Sequence, residues 1–246
     1  MLINELSTSS SDTFSMQSII PFFQSIIDLQ DFGVVRYECL ARLIDQSATT
    51  YKPENFMQFI EREAYNSQLT DHMLMQCVHA FEYQNMPWNI NISAGECQDL
   101  QLLHHLRSAL DYVPCFGHIG LELSHLDALS VLDDLPQFIA QCRELNVGIF
   151  VDNISDVSGA AQDIFALDFA GFKLSEQVIA TANMDATKLS CFQSLITRAH
   201  ANNQMIVAEY VEHDTTLPLL RELGIRYAQG YLLGKPKQTL AALSSH

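Results

Sequence analysis

Between Val207 and Pro236 the chain reads VAEYVEHDTTLPLLRELGIRYAQGYLLGKP, and this stretch restricts the fold more than any other. A short apolar run, Met205 to Val211, carries Glu209 near its end and is followed by Glu212. Leu217, Leu220 and Leu223 then recur at helical spacing until Gly224, and a second extended run, Tyr227 to Leu233, carries Gln229. The pattern is strand, helix, strand, with polar side chains where the strands end. In parallel sheets and barrels built from such units the site lies at those carboxyl ends. A carboxylate inside a strand is costly to bury, so Glu209 needs a cation beside it or a wet barrel mouth above it.

The same alternation runs through the rest of the chain. Ile19–Ile27 and Gly33–Cys39 read as two strands joined by a turn through Asp31 and Gly33. Apolar residues at helical spacing mark 55–81, 100–110, 135–145 and 189–199 as helices. Extended runs at 89–94, 118–124, 147–153 and 169–175 lie between them. Nearly every strand holds one polar residue: Glu38, Asn91, Glu122, Asp152, Lys173, Glu209 and Gln229. With no linker dividing these units, the expectation is an α/β chain: a 1–15 tail, rich in Ser and Thr and disordered, then a single barrel domain over 16–246.

Composition limits what such a barrel can do. A chain of 246 residues that is 48% hydrophobic suits one (β/α)8 barrel with a full core. A net charge of −16, from 13 Lys plus Arg against 29 Asp plus Glu, offers no basic face for DNA or RNA. The six scattered cysteines (Cys39, Cys77, Cys97, Cys115, Cys142, Cys191) form no CxxC pair and read as reduced core thiols. The apolar stretch Ile19 to Ile27 is short and broken by Pro21, so neither a signal peptide nor a membrane span is expected. The expected location is the cytoplasm. Four of the strand residues (Glu38, Asn91, Glu122, Asp152) are oxygen donors of the kind that hard divalent ions prefer. His72, His79, His104 and His105 have no ligand spacing and read as core or surface, while His125 is left between a structural and a pocket role.

These residues sit in motifs that resemble the EAL domain, the bacterial hydrolase of cyclic di-GMP. AEYVEHDTTLPLLRELGIRYAQGYLLGKP is similar to the family's closing AEGVE…LRxLGxxxxQGYxxxxP signature, and YECLARL resembles its naming motif with Cys39 in place of alanine. FFQSIIDL is similar to YQPIxDL, NINIS to the NxS strand and LELSH to LExTE. The 22 residues from Asp152 through Lys173 match the family interval from DD to KID. The resemblance implies a modified TIM (β/α)8 barrel with an antiparallel first strand. It implies metal ligands at Glu38, Asn91, Glu122 and Asp152, and catalytic positions at Lys173, beside the attacking water, and at Glu209. Glu209, Glu212 and Gln229 complete the pocket, and Gln24, Leu40 and Arg42 line the dinucleotide.

Three departures qualify that expectation. The family's DDFGTG loop reads Asp152-Asn153-Ile154-Ser155-Asp156-Val157, and its KID reads Lys173-Leu174-Ser175, so two aspartates are replaced by Asn153 and Ser175. An amide or hydroxyl is a weaker ligand for a hard ion and cannot act as a general base. At most one Mg²⁺, Mn²⁺ or Ca²⁺ is therefore expected in place of the ion pair, about 3.5–4 Å apart, of two-metal hydrolysis. Tyr210 replaces the glycine of AEGVE, where it would narrow the pocket or stack on a guanine. The altered loop lies where the family dimerises, which leaves a homodimer open. Three functions stay open on the sequence: a degenerate domain that still binds cyclic di-GMP, a protein-binding regulator without nucleotide, and a residual phosphodiesterase. Retention of Gln24, Arg42, Glu209, Glu212 and Gln229 supports the first, while the expected standalone format and the altered loop support the second.

Overall fold

A hairpin starts the fold. β1 (Ile19–Asp28) and β2 (Val34–Ile44) pair antiparallel from Ile19↔Leu43 to Ile27↔Val34 in the computed structural model, which describes residues 14–111, 119–159, 161–181 and 186–240. The turn between them forms as its residues dictate. Gly33 donates its N–H to Asp31 Oδ1 at 2.8 Å, and Gln30 donates to Asp28 Oδ1 at 2.9 Å. Pro21 is tolerated in β1 because Phe23, two residues on, points its backbone N–H away from β2 to the Lys237 carbonyl (2.7 Å). Pro21 therefore leaves no ladder bond to β2 unmade.

The remaining strands are β3 (Thr50–Tyr51), β4 (Trp88–Ile92), β5 (Ile119–Ser124), β6 (Gly148–Ile154), β7 (Gly171–Leu174), β8 (Met205–Ala208) and β9 (Tyr227–Ala228). Their order is β1-β9-β8-β7-β6-β5-β4-β2-β3, and the β1–β2 pairing closes the sheet on itself. From β2 through β4 to β9 the staves are parallel, while β1 is antiparallel to both neighbours. The architecture is the barrel with a reversed first strand that the motifs imply.

Helices cover the outside: α1 (Met57–Arg62), α2 (Asn66–Phe81), α3 (Leu100–Leu110), α4 (His125–Ser130), α5 (Leu135–Glu144), α6 (Ala161–Phe165), α7 (Glu176–Thr181), α8 (Ala186–Ala201) and α9 (Thr216–Glu222). Apolar stave residues such as Leu121, Leu123, Val151, Phe172 and Ile206 share one core with Leu74, Phe138, Phe165 and Phe192 of these helices. The opposite face of each stave points inward.

Four expectations change here. The helix expected over 55–81 is two, because Ala64 adopts φ 55° and the Tyr65 N–H closes α1 by donating to the Ile60 carbonyl at 2.8 Å. The strand expected to reach Val211 stops at Ala208, ahead of Tyr210 at φ 56°. The last strand ends at Ala228 rather than Leu233: the Gly230 carbonyl accepts from Leu233 and Gly234, turning the chain. A Cβ at Gly230 would lie 2.2 Å from the Val211 backbone, so glycine alone fits that crossing. α4, α6 and α7 were not foreseen. Of the expected tail, residues 1–13 lie outside the described residues, as do Cys115, His118 and 241–246. Phe14 packs on Phe59 with ring centroids 4.7 Å apart.

Candidate functional site

Lys173 rises from the middle of β7 into the barrel, where solvent does not reach it. Its ammonium lies 2.9 Å from Glu38 Oε2 (β2), 2.8 Å from Glu122 Oε2 (β5), 2.9 Å from Asp152 Oδ1 (β6) and 3.4 Å from Glu209 Oε1, just past β8. The strand register produces this convergence: Asn91 faces Glu122 across β4–β5, Ser124 faces Asp152, and Leu174 faces Ala208. The contacts to Glu38 and Glu122 are hydrogen bonds. Asp152 Oδ1 pairs electrostatically without hydrogen-bonding geometry.

Amides trim the cage. Gln229 Nε2 donates to Glu38 Oε2 at 2.6 Å and to Gln24 Oε1 at 3.2 Å, and Gln24 in turn donates to the Gly234 carbonyl at 2.9 Å. Asn91 Nδ2 donates to Glu38 Oε1 at 3.2 Å, and the Asn153 backbone N–H donates to Glu209 Oε2 at 3.2 Å.

Four carboxylates surround one ammonium, so the charges do not balance. Burial opposes charge on Lys173, but the four carboxylates outweigh it and hold the amine protonated well above the ordinary lysine value. Burial pushes Glu122 well above the usual carboxylate range, Glu38 pushes it further, and Lys173 offsets only part. Burial raises Glu209 to about 8, against the pull of Lys173.

Above the cage opens a cavity of about 630 Å³. Glu38, Asn91, Asp152, Glu209 and Gln229 line its floor, with Gln24, Leu40, Arg42 and Tyr210 on its sides; Glu122 and Lys173 lie beneath. Arg42 and Lys52 are the only cations lining it among the described residues, against seven acidic side chains. Tyr210 is 58% exposed at the mouth. Glu212, expected in the pocket, is exposed and does not line the cavity. Asn153 holds a left-handed φ of 53° and is exposed, while the buried Ser175 Oγ has no hydrogen-bond partner among the described residues. His125 is buried at the start of α4, and neither ring nitrogen has a hydrogen-bond partner among the described residues.

Two residues of the network were missed. Asn89 Nδ2 donates to Glu122 Oε1 at 2.7 Å, and Arg36 Nη1 donates to Asn89 Oδ1 at 2.7 Å. Each lies two positions before a residue singled out from the sequence (Asn91 and Glu38), so strand alternation was the available signal.

The donor set suits a hard divalent ion in kind, being oxygen throughout with negative charge in excess. Among the described residues no three His, Cys, Asp or Glu side chains are grouped to hold an ion as they stand, because the point of convergence belongs to Lys173 Nζ. Asp152, Glu38 and Asn91 at the floor, with Glu122 below, are the residues that would hold one.

The EAL domain profile matches residues 7–236. YkuI of Bacillus subtilis (strain 168), described as an uncharacterised EAL-domain containing protein, is 23% identical over 233 residues, 92% of this chain and 56% of YkuI. PdeN of Escherichia coli (strain K12), a probable cyclic di-GMP phosphodiesterase, is 24% identical over 223 residues, 87% of this chain and 42% of PdeN. The chain thus spans about half the length of these curated relatives. Among solved structures, the FimX EAL domain of Pseudomonas aeruginosa bound to cyclic di-GMP superposes with a TM-score of 0.79 at 21% identity, covering 97% of this chain and 95% of that one. YkuI in complex with cyclic di-GMP and calcium gives 0.79 at 20% identity, covering 98% and 58%. At these identities the likeness concerns the fold. No helix among the described residues is long and apolar enough to cross a membrane.

Proposed function

Because the chain belongs to the EAL domain family, we propose that it is a degenerate signalling member whose cavity binds cyclic di-GMP together with one divalent cation, with hydrolysis lost or strongly impaired. The observation that carries this is the cavity floor, where Glu38, Asn91, Asp152, Glu209 and Gln229 meet beneath a space of about 630 Å³. That volume falls within the roughly 300–1,000 Å³ of small-molecule sites.

Charge supports a requirement for the cation. A dinucleotide carrying two phosphates would enter a space with seven acidic side chains and two basic ones. Repulsion opposes that entry unless a metal ion comes first. A bound ion supplies Lewis-acid polarisation of a phosphate oxygen. Arg42 and Gln24 flank the ligand, Tyr210 offers a ring at the mouth for a guanine, and Lys173 holds Glu38 and Glu122 in place.

Impaired hydrolysis follows from Asn153 and Ser175. Neither can take a proton from water at neutral pH, and neither adds negative charge for a second ion. Calorimetry with cyclic di-GMP, run with and without Mg²⁺, Mn²⁺ or Ca²⁺, tests the binding. Heat is expected only with the ion present, and linear dinucleotide should accumulate little over hours. Absence of binding with every ion overturns the proposal and leaves the protein-binding reading. Turnover at enzyme rates overturns its second half.

A further inference from the structure

A second cation, half-buried, reaches the carboxylate cage from the opposite end of the barrel. Arg36 lies two residues before Glu38 on β2, and so on the same inward face. Its Nη1 donates to Asn89 Oδ1 at 2.7 Å and more loosely to the Trp88 carbonyl at 3.5 Å. The guanidinium stands 5.0 Å from the centroid of the Phe150 ring, an inward residue of β6.

Asn89 is wholly buried and gives its Nδ2 to Glu122 Oε1 at 2.7 Å. The orientation of that amide follows from chemistry. Arginine only donates and a carboxylate only accepts, so the amide oxygen must face Arg36 and the nitrogen Glu122. The other oxygen of Glu122 is held by Lys173 at 2.8 Å. Glu122 is therefore fixed at both oxygens: by one cation directly, and by another through an amide.

The backbone makes room for this chain of contacts. A Cβ at Gly120 would lie 2.0 Å from Asn89 Oδ1 and 2.9 Å from the Phe150 ring, and a Cβ at Gly171 would lie 2.9 Å from the same ring. Two staves thus leave an inward side chain out where Asn89 and Phe150 sit.

We propose that Arg36 and Asn89 are positioning residues for the ion-and-nucleotide site, with Arg36 fixing the Asn89 amide and Asn89 holding the Glu122 carboxylate beneath the cavity floor. What the site binds rests on the function proposed above; the positioning does not. Partners of this kind, one step behind a metal-ligating group, are worth about 10- to 100-fold in metal affinity when removed.

The test uses Asn89→Ala, Arg36→Met and Arg36→Lys in the full chain, with two measurements. One is Mn²⁺ affinity by calorimetry. The other is the exchange rate of the Lys173 ammonium protons, followed by ¹⁵N NMR in ion-free protein. Asn89→Ala should weaken Mn²⁺ by about 10-fold or more and speed Lys173 exchange, because Glu122 is released at one oxygen and its grip on Nζ loosens. Arg36→Met should shift both in the same direction, and Arg36→Lys should restore part of each. Variants that lose thermal stability but keep both the Mn²⁺ affinity and the Lys173 exchange rate would reduce the pair to packing and overturn the proposal. If the wild-type protein binds none of Mn²⁺, Mg²⁺ and Ca²⁺, the proposed function fails, while the exchange measurement still decides the positioning. Should Asn89→Ala not fold, the two Arg36 variants decide it.

Discussion

Replacing Lys173 by Met removes the one cation, among the described residues, in direct contact with the four carboxylates, three of them buried, and the structure sets the size of the loss. At an effective dielectric of about 20, a unit pair at 2.8–2.9 Å carries roughly 6 kcal/mol of gross attraction, most of it offset by desolvation. Deleting one partner of such a buried pair costs about 3–5 kcal/mol, out of the 5–15 kcal/mol typical of a folded protein. The pH dependence gives the sharper signature. Glu209 has a folded value of about 8, above its unfolded value of about 4.3, so the folded state holds a proton there that the unfolded state gives up. Stability from that group is fully present below about pH 4 and is lost as pH rises through about 8. Without Lys173, Glu38 and Glu122 also lose the cation that pulls them down, and the fall with pH steepens. Urea denaturation at pH 5.5 and pH 8 should therefore show a deficit of about 3–5 kcal/mol at pH 8 that shrinks at pH 5.5. A variant with wild-type midpoints at both values would refute the ammonium-centred cage.

Tyr210→Gly should relieve a left-handed backbone costing about 1 kcal/mol, raising Tm by roughly 2–4 °C, while nucleotide affinity in calorimetry falls. An unchanged Tm would dismiss the strain. Asn153→Asp combined with Ser175→Asp should tighten divalent-ion binding, and an ion titration identical to wild type would show that the two missing charges are not what limits the site. Gly120→Ala places a methyl 2.0 Å from Asn89 Oδ1 and should lower stability by about 1–3 kcal/mol, read as an earlier urea midpoint; an unshifted midpoint would mean that Asn89 yields freely.

The sequence displayed the staves because each polar residue interrupts an otherwise apolar run, as Glu122 does in HIGLELS and Lys173 in FAGFKLS. Alternation then places Glu38, Glu122, Asp152 and Lys173 on inward faces, and barrel closure brings them together. The depth of each residue was not legible. Whether Lys173 stands at the mouth or under the floor depends on the stagger between staves, which no single strand encodes. The same limit hid Arg36 and Asn89, since their contact with Glu122 exists only after β2, β4 and β5 align. The break at Ala64 was invisible for another reason: alanine is the best helix former, and nothing local announces its left-handed turn. The early end of β9 had a cue in Gly230, which reads as part of a strand until its approach to Val211 is seen.

The ammonium and a divalent ion compete for the same oxygens, and this links the proposed loss of turnover to the geometry. Lys173 engages an oxygen on each of four carboxylates, while Asn91, Asn89 and the Asn153 backbone take the second oxygens of Glu38, Glu122 and Glu209. An entering ion must share those lone pairs, so its affinity depends on how much negative charge remains after Lys173 and Arg36 are counted. Four carboxylates less two cations leave −2 when all are ionised, enough for a single divalent ion. Carboxylates at positions 153 and 175 would raise that to −4, which matches two such ions. With Asn153 and Ser175 in their places, burial favours protonation of Glu209 over a second metal. One divalent cation, rather than two, is what this charge balances.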